Sequence, residues 1–129
     1  MNKKYRLLII DDNEEILTSL KNFLSKKDYD VMSASNGLDA LKLIEAATDD
    51  FDLVVTDLVM PNISGVAITA IIKKQNQKMP VIAITGYGEQ PEALAREVNA
   101  DVVMEKPFKL DLLEKHISEL LIKYQEQIY

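Results

Sequence analysis

Apolar residues along this chain gather into five short runs, and between them they recur every three or four positions. The runs are Tyr5 to Ile10, Val31 to Ala34, Leu53 to Thr56, Val81 to Thr85 and Val102 to Met104, rich in β-branched and aliphatic side chains and bounded by turn residues; they predict strands. Helical spacing follows each run. Ile16, Leu17, Leu20, Phe23 and Leu24 come after Asp12-Asn13, which can cap a helix, and Leu38, Leu41 and Ile44 come after Asn36-Gly37. Val66, Ala70 and Ile71 mark a third helix, Ala93, Leu94 and Val98 a shorter fourth opened by Pro91, and Leu113, Ile117, Leu120, Leu121 and Tyr124 a fifth. Strand and helix alternate throughout. This rhythm predicts a doubly wound α/β domain, with five parallel strands buried between helices on both faces.

Composition narrows the class without changing that picture. The chain has 129 residues, a length that suits one domain with a real core. Residues 1–129 are therefore read as a single domain with no output domain attached. With 47% hydrophobic and 28% charged residues and only four Gly and four Pro, it is neither disordered nor low-complexity. Zero cysteines exclude disulfides and thiolate metal sites. No apolar run approaches the roughly 20 residues of a membrane helix, so a cytoplasmic protein that does not enter a membrane is expected. A formal charge of −6 gives no attraction to phosphodiester backbones and disfavours direct nucleic-acid binding. Lys73-Lys74 reads as a solvated helix face.

Charge and hydroxyl groups at the strand ends carry the chemistry. In an open parallel sheet, ligands bind beyond the carboxyl ends of the strands. Strand one ends in Asp11-Asp12, strand three in Asp57, strand four in Thr85-Gly86, and strand five runs into Glu105-Lys106-Pro107. Each residue alone has a bland reading: Asp12 a helix cap, Asp57 a turn, Thr85 a strand end, Lys106 a surface charge. Together they bring three carboxylates, a hydroxyl and an ammonium to one edge. Converging carboxylates repel, so the site is partly protonated or holds a cation. Mg²⁺ is the natural candidate, since it takes oxygen ligands and is held by one or two carboxylates plus a phosphate. A carboxylate beside Mg²⁺ and a lysine can attack a phosphoryl group and become an aspartyl phosphate.

Asp11-Asp12, Asp57 followed by Met60-Pro61 and then Gly65, Thr85-Gly86, and Lys106-Pro107-Phe108 resemble the receiver domains of two-component response regulators, of the kind seen in chemotaxis. The match covers nearly the whole chain, in order. The resemblance implies a flavodoxin-like sheet of order 2-1-3-4-5 and a cis bond between Lys106 and Pro107. It implies that Asp57 accepts phosphate, that Asp12 and Asp57 ligate Mg²⁺ directly, that Asp11 acts mainly through a water, and that Val59 offers its carbonyl. Lys106 would pair with the phosphoryl oxygens and Thr85 would donate its hydroxyl to one. The implied donor is a sensor histidine kinase or a histidine phosphotransfer protein. The implied output is a change of affinity for a downstream protein at the surface around the fourth helix, fifth strand and fifth helix. Such a domain accepts a phosphoryl group and slowly loses it, and is not otherwise an enzyme.

Two departures from the family pattern stand out. Receivers usually carry an aromatic residue three positions before the lysine, where this chain has Val103, which has no ring to turn inward and a stiff χ1; phosphorylation would then act through Thr85 and the loop that follows it, or Tyr87 would supply the moving ring. By the resemblance, Val59 and Tyr87 flank the path of the hydrolytic water without a carboxylate or amide to orient it, so self-dephosphorylation should be slow relative to receivers with polar residues there. His116, the only histidine, sits at the border of the last apolar stripe and reads as structural or solvent-facing. Among rival readings, a Mg²⁺-dependent phosphohydrolase would want an Asp-x-Asp nucleophile motif after strand one and a cap for substrate. A flavin or nucleotide binder would want a Gly/Ser/Thr-rich first loop, whereas Asp-Asp-Asn-Glu-Glu would repel phosphate. The intact acidic set argues against a non-phosphorylated scaffold.

Overall fold

The computed structural model of the chain describes residues 4–47, 50–86 and 99–126. Five parallel strands, β1 (Arg6–Ile10), β2 (Asp30–Ala34), β3 (Leu53–Asp57), β4 (Val81–Thr85) and β5 (Val102–Glu105), form one sheet of order β2-β1-β3-β4-β5. The helices among the described residues are α1 (Glu14–Lys26), α2 (Gly37–Ala47), α3 (Gly65–Gln75) and α4 (Leu110–Glu126), so α4 is the helix expected as the fifth. The expected fourth helix with Pro91, Ala93, Leu94 and Val98 lies outside the described residues, as do Tyr87 and Tyr129. The doubly wound architecture and strand order are those expected.

Alternation along the strands sorts the core into two layers. In a parallel sheet, residues paired in register point to the same face. Leu7 and Ile9 of β1, with Leu53, Val55, Ile82 and Ile84, pack against Leu17, Leu20 and Leu24 of α1 and Leu113, Ile117, Leu120 and Leu121 of α4. Leu8, Ile10, Val54 and Val81 face the other way, onto Ala40 and Ile44 of α2 and Ile68 and Ile72 of α3. The strands were expected to be buried throughout, and β3 and β4 are. The edge strands β2 and β5 are only partly covered, each having a strand neighbour on one side alone.

Three helix-face expectations are corrected. Leu38 is 56% exposed, because α2 buries Ala40 and Ile44 and a position two before Ala40 falls on the far side. Ala70 is exposed and Val66 and Ile71 only half-buried; α3 buries Gly65, Ile68, Thr69 and Ile72 instead. Apolar residues surround α3, so their spacing does not choose a face, and Thr69 can be buried because its hydroxyl donates to the Gly65 carbonyl at 2.8 Å. Lys73 is not a solvated charge either. Its side chain is 12% exposed and its ammonium reaches Asp101 Oδ2 at 2.9 Å and the Met79 carbonyl at 2.7 Å.

Asp101 is the centre of a clasp at the end of the sheet opposite the carboxyl edge. Besides Lys73 it accepts from the Val81 N–H at 2.8 Å and from the Tyr124 hydroxyl, joining α3, β4, β5 and α4. Burial pushes its carboxyl up, but the donors from Tyr124, Lys73 and Val81 outweigh burial and hold it below the usual carboxylate range. A carboxyl depressed in the folded state stabilises the fold above its unfolded pKa, and that contribution is lost as pH falls through its folded value. Asp101→Asn is therefore expected to lose about 2 kcal/mol at neutral pH. In urea unfolding at a series of pH values, the gap between parent and variant should narrow as pH drops below the ordinary carboxylate range.

Candidate functional site

Local structure at the β1 end separates the two adjacent aspartates. Asn13 is the N-cap of α1, its side-chain oxygen accepting from Glu15 N at 2.9 Å and Ile16 N at 3.2 Å. Asn13 alone caps the helix, which leaves the carboxylate of Asp12 exposed and uncommitted to the backbone. Asp11 is 1% exposed; its Oδ1 accepts from Asn13 N at 2.9 Å, and its Oδ2 meets the Lys106 ammonium at 3.0 Å.

Parity of the strands brings the remaining groups in. Asp11 continues the face of Leu7 and Ile9, Asp57 that of Leu53 and Val55, so both side chains rise on the α1 and α4 side of the sheet. Asp57, the last residue of β3, is 5% exposed. Its Oδ2 lies 3.1 Å from Lys106 Nζ, and its Oδ1 accepts from Val59 N at 3.3 Å. Lys106 follows β5, tied by its N–H to the Thr85 carbonyl at 2.8 Å, and the Lys106-Pro107 bond is cis, as the resemblance implied. Thr85 ends β4, fully buried, and its Oγ1 has no hydrogen-bond partner among the described residues. Val59, two residues past Asp57, is 53% exposed.

The loop after Asp57 is held by close backbone packing. Met60 is buried, Asn62 takes a left-handed φ of 71° that asparagine tolerates, and Ser64 caps α3 through Ala67 N at 3.2 Å. Gly65 N donates to the Leu58 carbonyl at 2.9 Å. A Cβ on Gly65 would lie 1.8 Å from the Asp57 carbonyl oxygen. Only glycine lets α3 start this close to the end of β3. The sequence reading used Gly65 as part of a motif and did not foresee this contact; nor did it foresee the Lys106–Asp11 pair or the sole capping role of Asn13.

Carboxylate oxygens of Asp11, Asp12 and Asp57 lie within 4.8 Å of one another. Burial pushes the Asp57 carboxyl above its ordinary value and the charge of Asp11 adds to this, against the opposing pull of Lys106 and the Val59 N–H. Burial alone would lower Lys106, but Asp11 and Asp57 outweigh it and hold the ammonium above the ordinary lysine value. Among the described residues the ion pairs to this cluster come from Lys106, to Asp11 and Asp57, so one ammonium stands against three carboxylates. An all-oxygen donor set with one exposed carboxylate fits a hard divalent cation such as Mg²⁺. The unpartnered Thr85 hydroxyl is a donor without an acceptor, which an oxyanion beside Asp57 would supply.

Comparison with known proteins agrees with this geometry. The chain matches the response regulator receiver domain family over residues 7–118. It is 38% identical over 109 residues to the alkaline phosphatase synthesis transcriptional regulatory protein PhoP of Bacillus subtilis, covering 84% of this chain and 44% of that protein. The chain thus spans under half the length of that curated relative. A response regulator receiver domain protein from Clostridium thermocellum superposes with a TM-score of 0.89 at 30% identity, covering 95% of this chain and 98% of the other. The response regulator protein TrrA of Thermotoga maritima, solved in complex with Mg²⁺-BeF, superposes with a TM-score of 0.79 at 31% identity, covering 90% of this chain and 98% of that one. With the sheet order, the acidic cluster at its carboxyl edge and the lysine on a cis bond, these matches place the chain in the response regulator receiver domain family of two-component signal transduction.

Proposed function

We propose that the chain is a phosphorylation-activated cytoplasmic signalling receiver: Asp57 takes a phosphoryl group from a sensor histidine kinase or a histidine phosphotransfer protein, in a Mg²⁺-dependent reaction, and partner binding changes as a result. The observation that supports this most is the Lys106 ammonium set across Asp11 and Asp57 beside a third carboxylate. An Asp57 carboxylate oxygen forms the new bond to phosphorus while the bond from phosphorus to the donor's imidazole nitrogen breaks, and that nitrogen leaves with the electron pair. Lys106 follows the negative charge from the Asp57 carboxylate to the phosphoryl oxygens. The Thr85 hydroxyl donates to one of those oxygens and gains the partner it otherwise lacks. Mg²⁺ bound by Asp11, Asp12, Asp57 and the Val59 carbonyl would supply the positive charge that one ammonium cannot.

An open groove of about 510 Å³ beside Lys106, lined by Ile16, Leu20, Pro107, Phe108 and Leu110 with Glu15 and Ser19 on its α1 side, gives a donor helix a largely apolar rest next to the acceptor. On the output side, Val103 is half-buried against the cluster of Leu58 and Ala83, on which Val66 also packs. The downstream protein is assigned to the surface that includes β5 and α4.

The reading predicts that acetyl phosphate with Mg²⁺ labels the parent stoichiometrically, that hydroxylamine removes the label, and that Asp57→Asn is not labelled. Because Val59 offers no group to orient water, the label should outlast removal of the donor by minutes or longer. Continuous release of phosphate would point to a phosphohydrolase, and an unlabelled parent to a scaffold.

A further inference from the structure

Thr56 is fully buried in a place where packing alone would favour valine. It pairs in register with Ile10 and shares the face of Ile10 and Val54, the layer that packs on Ile68 and Ile72 of α3. Val54 and Val55 precede it, and valine has nearly the same shape without the polar group. A hydroxyl buried in an apolar layer is costly unless it is hydrogen-bonded. That of Thr56 donates to the Asp57 carbonyl at 2.9 Å. Asp57 is therefore held on both faces of the sheet, its carboxylate by Lys106 on one and its carbonyl by Thr56 on the other.

The peptide that joins Asp57 to Leu58 carries the chain out of β3 into the loop before α3, and both of its ends are tied. Its carbonyl takes the Thr56 hydroxyl and faces Gly65, where a Cβ would stand only 1.8 Å away. Its N–H, that of Leu58, donates to the Ile84 carbonyl at 2.9 Å. The next peptide is tied in the same way: the Leu58 carbonyl accepts from Gly65 N at 2.9 Å and Val59 N donates to Asp57 Oδ1 at 3.3 Å. The Val59 carbonyl thus starts from a frame fixed by the two peptides before it. Thr69 offers a contrast. It is equally buried, and its hydroxyl donates to the Gly65 carbonyl at 2.8 Å, but that carbonyl lies inside α3, where the helix ladder serves it through the Thr69 N–H.

We propose that Thr56 is a positioning residue for the divalent cation: its hydroxyl locks the Asp57–Leu58 peptide and so presets the Asp57 carboxylate and the Val59 carbonyl as ligands. The proposal rests on the Mg²⁺ reading of the site and adds to it a group on the far face of the sheet, which touches neither cation nor phosphoryl donor. Removing a group that orients a ligand from behind commonly weakens metal binding about 10- to 100-fold. Because the Leu58 N–H still holds the other end of the peptide, the lower figure applies here.

Two substitutions separate the hydroxyl from the packing. Thr56→Val keeps the shape and removes the hydroxyl; Thr56→Ser keeps the hydroxyl and removes a buried methyl. In calorimetric titration with Mg²⁺ alone, T56V should bind roughly tenfold more weakly than the parent. T56S should bind as the parent does, although the lost methyl lowers its thermal midpoint. Thr69→Val should also bind as the parent. Amide hydrogen exchange without Mg²⁺ reads the frame itself: relative to the amides of β1, those of Leu58, Val59 and Gly65 should exchange faster in T56V and not in T56S. Binding by T56V equal to the parent, or by T56S as weak as by T56V, would overturn the proposal, since affinity would then not follow the hydroxyl. A parent that binds no Mg²⁺ would overturn the cation reading and this proposal with it. Unchanged relative exchange in T56V, in a parent background that does bind Mg²⁺, would overturn the positioning role alone.

Discussion

Gly65→Ala should lose about 4 kcal/mol of stability, read as a lower urea midpoint with an unchanged slope. The added methyl would sit 1.8 Å from the Asp57 carbonyl oxygen and 2.7 Å from the Leu58 Cα. Both are backbone atoms at the buried end of β3 and the residue after it, so no side-chain rotation relieves the clash. Either α3 retreats, breaking the Gly65 N–H bond to the Leu58 carbonyl, or the end of β3 shifts and carries Asp57 with it. The loss of stability should therefore come with loss of labelling at the acceptor in whatever fraction remains folded. A variant as stable as the parent would mean that the approach of α3 to β3 is not as tight as described.

Lys106→Met should be destabilising by about 2 kcal/mol at neutral pH without divalent cations, and millimolar Mg²⁺ should recover much of that loss. Lys106 contacts Asp11 at 3.0 Å and Asp57 at 3.1 Å, both carboxylates almost fully buried, and removing it leaves them facing each other. Breaking a buried pair from one side costs about 3 to 5 kcal/mol, and the 23% exposure of the lysine side chain argues for less. The sign against pH follows from the direction of the shift. A lysine raised in the folded state stabilises below its unfolded pKa and loses that contribution only as pH rises through its folded value, so the full loss is present at pH 7. Thermal melts with and without Mg²⁺ make the comparison. If Mg²⁺ stabilises parent and variant equally, lysine and cation do not answer the same charge deficit.

Much of this site was readable in the sequence because each group ends a strand, and strands buried as deeply as β3 and β4 announce themselves as apolar runs. Asp11, Asp57, Thr85 and Lys106 fall on one edge by strand ending alone. Period-two alternation then explains why Asp11 and Asp57 share a face. Helix faces were harder to read. Leu38 is apolar yet exposed, and α3 carries apolar residues on every side, so only the sheet beneath decides that Ile68 and Thr69 are buried and Ala70 is not. Contacts between residues distant in sequence left no local trace: nothing near Lys73 predicts that it reaches Asp101 and that Tyr124 closes the same clasp. The 1.8 Å approach at Gly65 likewise exists only once α3 is packed on β3. The aromatic position occupied by Val103 was legible as a departure, and its side chain lies in a small cluster with Leu58 and Val66 that links β5 to the loop after Asp57.

The central claim is that Asp57 itself receives the phosphoryl group. Borohydride reduces an aspartyl phosphate to homoserine, so the parent can be incubated with acetyl phosphate and Mg²⁺, reduced, digested and sequenced by mass spectrometry. Homoserine should appear at position 57 only, and should be absent when acetyl phosphate is left out. Homoserine at Asp11 or Asp12, or none anywhere in a folded sample, would contradict the account.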